Sequence, residues 1–470
     1  MPDTDPPEGE RGSRRRKLLA GGAAVVIAAI VVLVILLSSG PKNVSHPKVS
    51  FTAPTHTQTK PPPKKRTFNF RWPWYGYDAA RDRDLQTSPN LHPPFRVNWS
   101  FAPNALIEFP PSIAGRSLYY MDDSGMVKDI DAMNGRLNWQ HQVGSLSSAT
   151  PAIAQKQGLI ITPTLATKGK SPGGGKIVAL NMRNGRTAWQ HPIGAGTESS
   201  PIVMHNIVYF GDQSGRVYAM DARTGRTLWT FTASGAVKGG VAYANGNIYL
   251  DDYGGHVYAV NAKTGKQVWS SGTSSSYGLG SGQFYSTPTV AYGRVYVGNT
   301  NGYVYSYAAN NGQLAWSKGT GAYVYSSAAA ANVPGAGPTI FMGSYDGNFY
   351  AFNAQSGATR WVHTDGAKIS GTATVINNVV YYSSFGKRTV GLDTRTGKPV
   401  FSFKDGRFSP IVATPGALFL SGGYVEYELV PVAPKRHTKP KPRAKPKPHA
   451  EPKPHRKSAP PRARHTRSRR

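Results

Sequence analysis

Eight residues hold one place in an internal repeat yet differ in chemistry: Glu108, Ser148, Glu198, Lys238, Tyr285, Tyr325, Ser370 and Arg407. Each stands three residues before the proline position of a strand core of the type TPAI, SPIV or TPTV. Acids, bases and adjacent tyrosines at one geometric position could grip a polar peptide or a sugar chain. No nucleophile–base pair with a third orienting group stands out, so covalent catalysis is not expected. The chain has no cysteine, which removes thiol nucleophiles, disulfides, thiolate metal sites and a lipidated N-terminal cysteine. An unconstrained loop would also vary from copy to copy, so these eight are candidates for a ligand-facing ring. The segment SSGTSSSYGLGSGQF (Ser270 to Phe284) would overhang them and could act as a lid.

The elements that must position this ring are repeats. GRVYAMDARTGRTLW (Gly215 to Trp229) and GHVYAVNAKTGKQVW (Gly255 to Trp269) share one spacing with five other copies. Their turn glycines fall at Gly135, Gly185, Gly225, Gly265, Gly312, Gly357 and Gly397, a period of 40 to 50 residues that marks an array of similar units. In the third copy four short strands are expected: Ser199 to Met204, Ile207 to Gly211, Arg216 to Asp221 and Arg226 to Phe231. Such a unit is one blade of a β-propeller. The Asp or Asn that opens each D-x-x-T-G turn (Asp131, Asn181, Asp221, Asn261, Asn353, Asp393) is explained by backbone amides it can accept, and the glycine by a positive φ. Ala308 departs from that pattern.

Four residues after each glycine stands an aromatic: Trp139, Trp189, Trp229, Trp269, Trp316, Trp361, and Phe401 in the last copy. Identical placement in every unit predicts that these rings fill the seams between blades, so Trp229→Ala, if that ring is fully buried, should cost about 3–5 kcal/mol. An eighth aromatic, Trp99 in RVNWSF, precedes the first full copy, while Ser409 to Ala413, Ala417 to Ser421 and Tyr424 to Val430 follow the last as three strands without a fourth. The strand around Trp99 should complete that blade and close the ring, predicting an all-β, eight-bladed propeller over residues 67–433 that behaves as a monomer.

Outside the repeats, Leu18 to Leu37 is an uncharged apolar run of 20 residues preceded by Arg11, Arg14, Arg15, Arg16 and Lys17. Its length suits a transmembrane helix, and the flanking charge predicts residues 1–17 in the cytoplasm with everything after Ser38 outside. A cleaved signal peptide would have a shorter apolar core and an A-x-A-like site, which is missing here, so a retained single-pass anchor is the expectation. Residues 38–66, rich in Pro, Thr and Lys, are expected to form an extended spacer. The net charge is +31, and residues 434–470 alone carry seven Lys, eight Arg and one Glu. That disordered tail could dock on an anionic envelope polymer or simply be solvated; without base-stacking aromatics, nucleic acid is not the expected partner.

The unit G-x-V-Y-A-x-[DN]-x-x-[TN]-G-x-x-x-W resembles the pyrroloquinoline quinone (PQQ)-type propeller repeat with its tryptophan-docking motif, and RWPWYGYDAARDRD (Arg71 to Asp84) looks like the segment preceding such rings. The resemblance extends over about Phe70 to Pro431. It implies one of two branches. Quinone dehydrogenases of this type carry an adjacent cysteine pair, calcium ligands and a catalytic Asp, and the cysteine pair is missing here. The non-enzymatic branch, typified by BamB-type assembly factors, is the closer likeness, with the apolar run in place of that family's lipidated cysteine. No cofactor or metal is therefore expected, and the role implied is a membrane-anchored binding or scaffold module for an envelope protein or polymer. PQQ-dependent oxidation and ligand sensing are the alternatives.

Overall fold

Every repeat folds into a four-stranded antiparallel sheet, and eight such sheets make the ring. The structure, a computed structural model, describes residues 41–54, 70–165, 174–273, 282–408 and 411–432. The expected cytoplasmic segment 1–17, span 18–37 and tail 434–470 lie outside the described residues. In blade 3 the strands are Ile202–Met204, Ile207–Gly211, Arg216–Asp221 and Thr227–Thr232. The first is shorter than expected because the serines before it bond sideways. The Ser200 hydroxyl accepts the amide of Thr150 in blade 2 at 3.0 Å, and Ser199 accepts that of Gly211 at 3.1 Å. The tight turn His205–Asn206 has φ of 50° and 65°, matching the twist of the hairpin it joins.

Blade 8 joins both ends of the propeller. Its strands Val412–Thr414, Ala417–Ser421 and Glu426–Pro431 are completed by Phe95–Phe101, antiparallel to the third, with Trp99 opposite Glu428. Two of its boundaries sit two or three residues later than the sequence suggests. No ring edge is left open by the chain's start and end.

The seams follow one geometry. Trp Nε1 donates to the carbonyl just after the turn Asp or Asn of the next blade: Trp139 to Met182 (3.0 Å), Trp229 to Ala262 (3.0 Å), Trp316 to Ala354 (2.9 Å). The indole face lies on the turn glycine; a Cβ at Gly265 would sit 2.8 Å from the Trp229 ring and one at Gly397 2.7 Å from Trp361. Glycine at these turns thus serves both its φ near +70° and the ring above it. In each blade the ladder between third and fourth strands slips by one residue immediately before the aromatic, as at Leu228. This β-bulge turns the ring toward the neighbouring blade and leaves Leu228 and Val268 exposed. Phe401 differs for a reason of topology: blade 8 has no turn between its third and fourth strands, so the ring meets Phe95 at 5.6 Å instead.

Burial varies around the ring. Trp229 is only part-buried, which lowers the expectation for Trp229→Ala, whereas Trp316 is wholly buried. Residues 41–54 run along the strand that carries Trp316. These were expected to belong to a free spacer, but they form a strap on the outer edge of blade 5, where Val44 and Ser45 pair with Ser317 and Trp316. Buried Arg294 donates to the Val49 and Ser50 carbonyls, and Phe51 covers its guanidinium at 5.6 Å. Val44, Val49 and Phe51 supply apolar contact that a composition dominated by Pro, Thr and Lys hides.

A second segment, 70–85, runs across the bottom of the central channel. The first strands of successive blades donate amides to it: Gly115 to Phe70, Ile153 to Pro73, Tyr243 to Ala79, Val290 to Ala80, Ala330 to Asp82 and Val375 to Arg83. Arg81 and Arg83 are fully buried inside it. The segment closes the channel at one end and leaves the other end open.

One buried acid sets a pH dependence. Glu426 is inaccessible, its Oε2 accepts from Ser421 Oγ at 2.6 Å, and burial pushes its pKa from 4.5 up to about 8. A raised acid favours folding while protonated, so its contribution is complete below pH 4.5 and is lost as the pH rises to about 8. Glu426→Gln should therefore match the parent's melting temperature near pH 5 and exceed it near pH 8.5, as read by calorimetry across pH. Parallel curves at all pH values would rule this out.

Candidate functional site

The connections from fourth strand to next first strand converge on the open end of the channel, where they line a cavity of about 480 Å³. Six members of the ring read from the sequence face it: Glu108, Glu198, Lys238, Tyr285, Tyr325 and Ser370. The other two act at one remove. Ser148 donates its hydroxyl to Glu108, and the Arg407 guanidinium lies over Phe385 (5.3 Å) and Phe408 (4.9 Å). The proposed lid belongs mostly to residues outside the description (274–281), while Phe284 at its end is buried in the seam of blades 4 and 5.

Glu198 is the hub of the polar side. It accepts the Tyr285 hydroxyl and pairs with Lys238 Nζ at 3.6 Å, and Lys238 lies over the Tyr253 ring at 5.0 Å. Burial, and then the Glu198 charge, hold the Tyr285 phenol well above its ordinary value, so it is a neutral donor at physiological pH. Asp123 is raised to about 7 by burial and then by Glu108, Asp122 and Glu198.

From Tyr253 and Tyr285 an arc of aromatic rings runs on around the mouth. Centroid distances run 6.0 Å from Tyr253 to Tyr285, 5.3 Å to Tyr325, 4.9 Å to Tyr345, 5.9 Å to Phe385 and 5.3 Å to Phe408. Lys368 Nζ lies 5.5 Å from the Tyr345 ring centre. Tyr75, from the segment crossing the channel, forms the floor; its hydroxyl bonds Thr372 and its ring meets Phe109 at 5.5 Å.

Four of these six rings, Tyr253, Tyr345, Phe385 and Phe408, escaped the sequence reading, although for the first three a signal existed. Tyr253, Tyr345 and Phe385 share one place in the hairpin between second and third strands, a place taken by Asp123 in blade 1 and Gln213 in blade 3. Their amides bond to the residue two before the ring position of the same blade, as Tyr345 to Tyr323 and Phe385 to Lys368. A second register of variable residues therefore borders the first. Tyr75 had no such signal, because it lies outside the repeat.

The family described as outer membrane protein assembly factor BamB matches residues 96–223 and 213–426. The chain belongs to this family. Among solved structures, BamB from Moraxella catarrhalis is similar with a TM-score of 0.58 and 16% identity, over 74% of this chain and 100% of that one. Quinohemoprotein alcohol dehydrogenase from Comamonas testosteroni is similar with a TM-score of 0.62 and 13% identity, over 77% and 80%. A europium-containing methanol dehydrogenase gives 0.60 and 16%, over 77% and 91%. No curated protein matches the sequence. At these identities the structural likeness shows the fold, and the fold hosts both binding proteins and oxidoreductases.

Glu108 and Glu198 project into the same cavity, Lys238 is already paired with Glu198, and Tyr75 fills the channel below. Among the described residues, no group of three or more His, Asp or Glu is placed to hold a metal ion.

Proposed function

We propose that this protein is a non-catalytic binding propeller, anchored in the cell membrane by Leu18 to Leu37 and displayed on its outer side, whose channel mouth takes an extended polar chain from an envelope protein or polymer. Membership of the BamB family supports a binding or scaffold role at the coarse level. The observation that carries the finer reading is the mouth itself. It sets a row of tyrosine and phenylalanine rings, suited to stacking on sugar rings or peptide planes, against Glu198, Lys238 and Lys368, which fix orientation.

Two measurements test it. Full-length protein in nanodiscs, offered a panel of envelope polysaccharides and periplasm-type peptides, should retain a ligand, and Tyr325→Ala should weaken that ligand about tenfold or more with little change in melting temperature. The same protein mixed with PQQ and calcium should show no dye-linked oxidation of alcohols or sugars. Turnover in that assay would establish the oxidoreductase alternative instead.

A further inference from the structure

We infer that the mouth side of blades 5 to 8 rests on the membrane surface and binds anionic lipid headgroups; this rests on the reading of Leu18 to Leu37 as a membrane span. The strap ties the apolar run to one face of the propeller. Its first residues sit at the mouth-side end of blade 5: the Pro41 carbonyl accepts from Tyr303 Oη at 2.6 Å, and Asn43 Oδ1 accepts the amide of Gly319 at 2.7 Å. Gly319 ends the fourth strand of that blade, and the chain continues directly to Tyr323 and Tyr325 of the cavity. The strap then descends, and Thr52 leaves it beside Tyr292 on the opposite face.

Only Ser38, Ser39 and Gly40 separate Leu37 from Pro41. Four chain steps reach at most about 14 Å. The lip of blade 5 is therefore tied to the end of the apolar run, because the chain is docked on the propeller from Pro41 onward.

What this lip presents suits a bilayer surface. Lys42, Lys368, Lys387 and Lys404 are exposed there, with Tyr323 at 53% and Tyr424 at 60% exposure, a mixture of cations and amphipathic rings typical of the headgroup layer. The acids of the same arc are engaged internally. Asp346 accepts from Tyr350 and from the Gly321 amide, Asp365 pairs with Arg388 at 3.0 Å, and Asp405 accepts from Tyr427 at 2.8 Å. The carboxylates lining the cavity, Glu108 and Glu198, come from the entries to blades 1 and 3 and are also engaged: Glu108 accepts from Ser148, and Glu198 accepts from Tyr285 and pairs with Lys238. The exposed lip next to the tether is thus basic and aromatic, with its acids engaged by partners.

The chain has no cysteine, so single labels can be placed without background. Lys404→Cys and Tyr424→Cys mark the lip, and Arg223→Cys and Lys263→Cys mark the opposite face. With each fluorescently labelled full-length variant reconstituted in vesicles of phosphatidylcholine and phosphatidylglycerol, headgroup spin-labelled lipids should quench the lip sites several-fold more than the opposite-face sites. The difference should shrink in vesicles of phosphatidylcholine alone and in Lys368→Glu/Lys387→Glu protein. A long Gly/Ser insert after Ser39 should also diminish it, because it frees the lip from the span. Equal quenching of both faces, or of neither, in protein that stays in the vesicles after carbonate washing overturns the inference and leaves the anchor standing. Release by the carbonate wash overturns the anchor and the inference together.

Discussion

Trp316→Ala lowers the stability of the protein by about 3–5 kcal/mol, the range for an aromatic removed from a closed site. Trp316 is fully buried. Its ring lies on Gly357, where a Cβ would come within 2.7 Å of it, its Nε1 donates to the Ala354 carbonyl at 2.9 Å, and Tyr296 packs beside it at 5.9 Å. The strap seals the site from outside through the pairing of Ser45 with Trp316. Alanine therefore opens a cavity at a seam, removes one of the two donors to the Ala354 carbonyl, the other being Tyr296 Oη at 3.1 Å, and loosens a strand at once. Trp229→Ala, at the same repeat position but part-exposed and without a strap, loses roughly half as much. Denaturant unfolding of the two variants measures the difference, and limited proteolysis shows whether residues 41–54 become accessible in Trp316→Ala. Equal losses would mean that the strap adds no burial.

Arg81→Met destabilises the propeller by about 3 kcal/mol or more, because it strands several buried acceptors together. Arg81 Nε donates to the Val241 carbonyl at 3.0 Å, Nη2 to that of Ser200 at 3.1 Å and Nη1 to that of Tyr75. One side chain thus ties the segment crossing the channel to the first strands of blades 3 and 4. Burial, and then the neighbouring Arg83, push its pKa down to about 9, which still leaves it charged at neutral pH. Methionine keeps the volume and removes every donor. Besides lower stability, the expected signature is greater acrylamide quenching of Trp72 and Trp74 as the segment loosens. Parental stability with unchanged quenching would show that the carbonyls find water or other partners.

The two sites also show which information a repeat carries. The turn Asp, the glycine and the aromatic recur because every blade needs them, so eight blades, their turns and the closure by the strand around Trp99 were legible. The ring from Glu108 to Arg407 was legible for the opposite reason: it is where otherwise similar copies disagree. Features that occur once had no copy to compare with. Arg71 to Asp84 gave no hint of crossing the channel, since its path depends on positive φ at Tyr77, Arg81 and Arg83 and on amides donated by six blades. The strap was hidden likewise, because docking of Val44, Val49 and Phe51 needs only a few apolar residues and one arginine, Arg294, supplied from 244 residues beyond Ser50. In the sequence Phe401 is only the aromatic of the last copy; the structure ties it to the missing hairpin of blade 8.

The central claim, that the mouth is where this propeller binds, is tested most directly by site-specific photocrosslinking in cells. A photoreactive residue replaces Tyr325 in one strain and Arg223, on the opposite face, in another. The account predicts discrete crosslinked species from position 325, abolished when Glu198→Gln and Lys238→Met are added, and none from position 223. Equal crosslinking from both positions, or crosslinking from 223 alone, would contradict it.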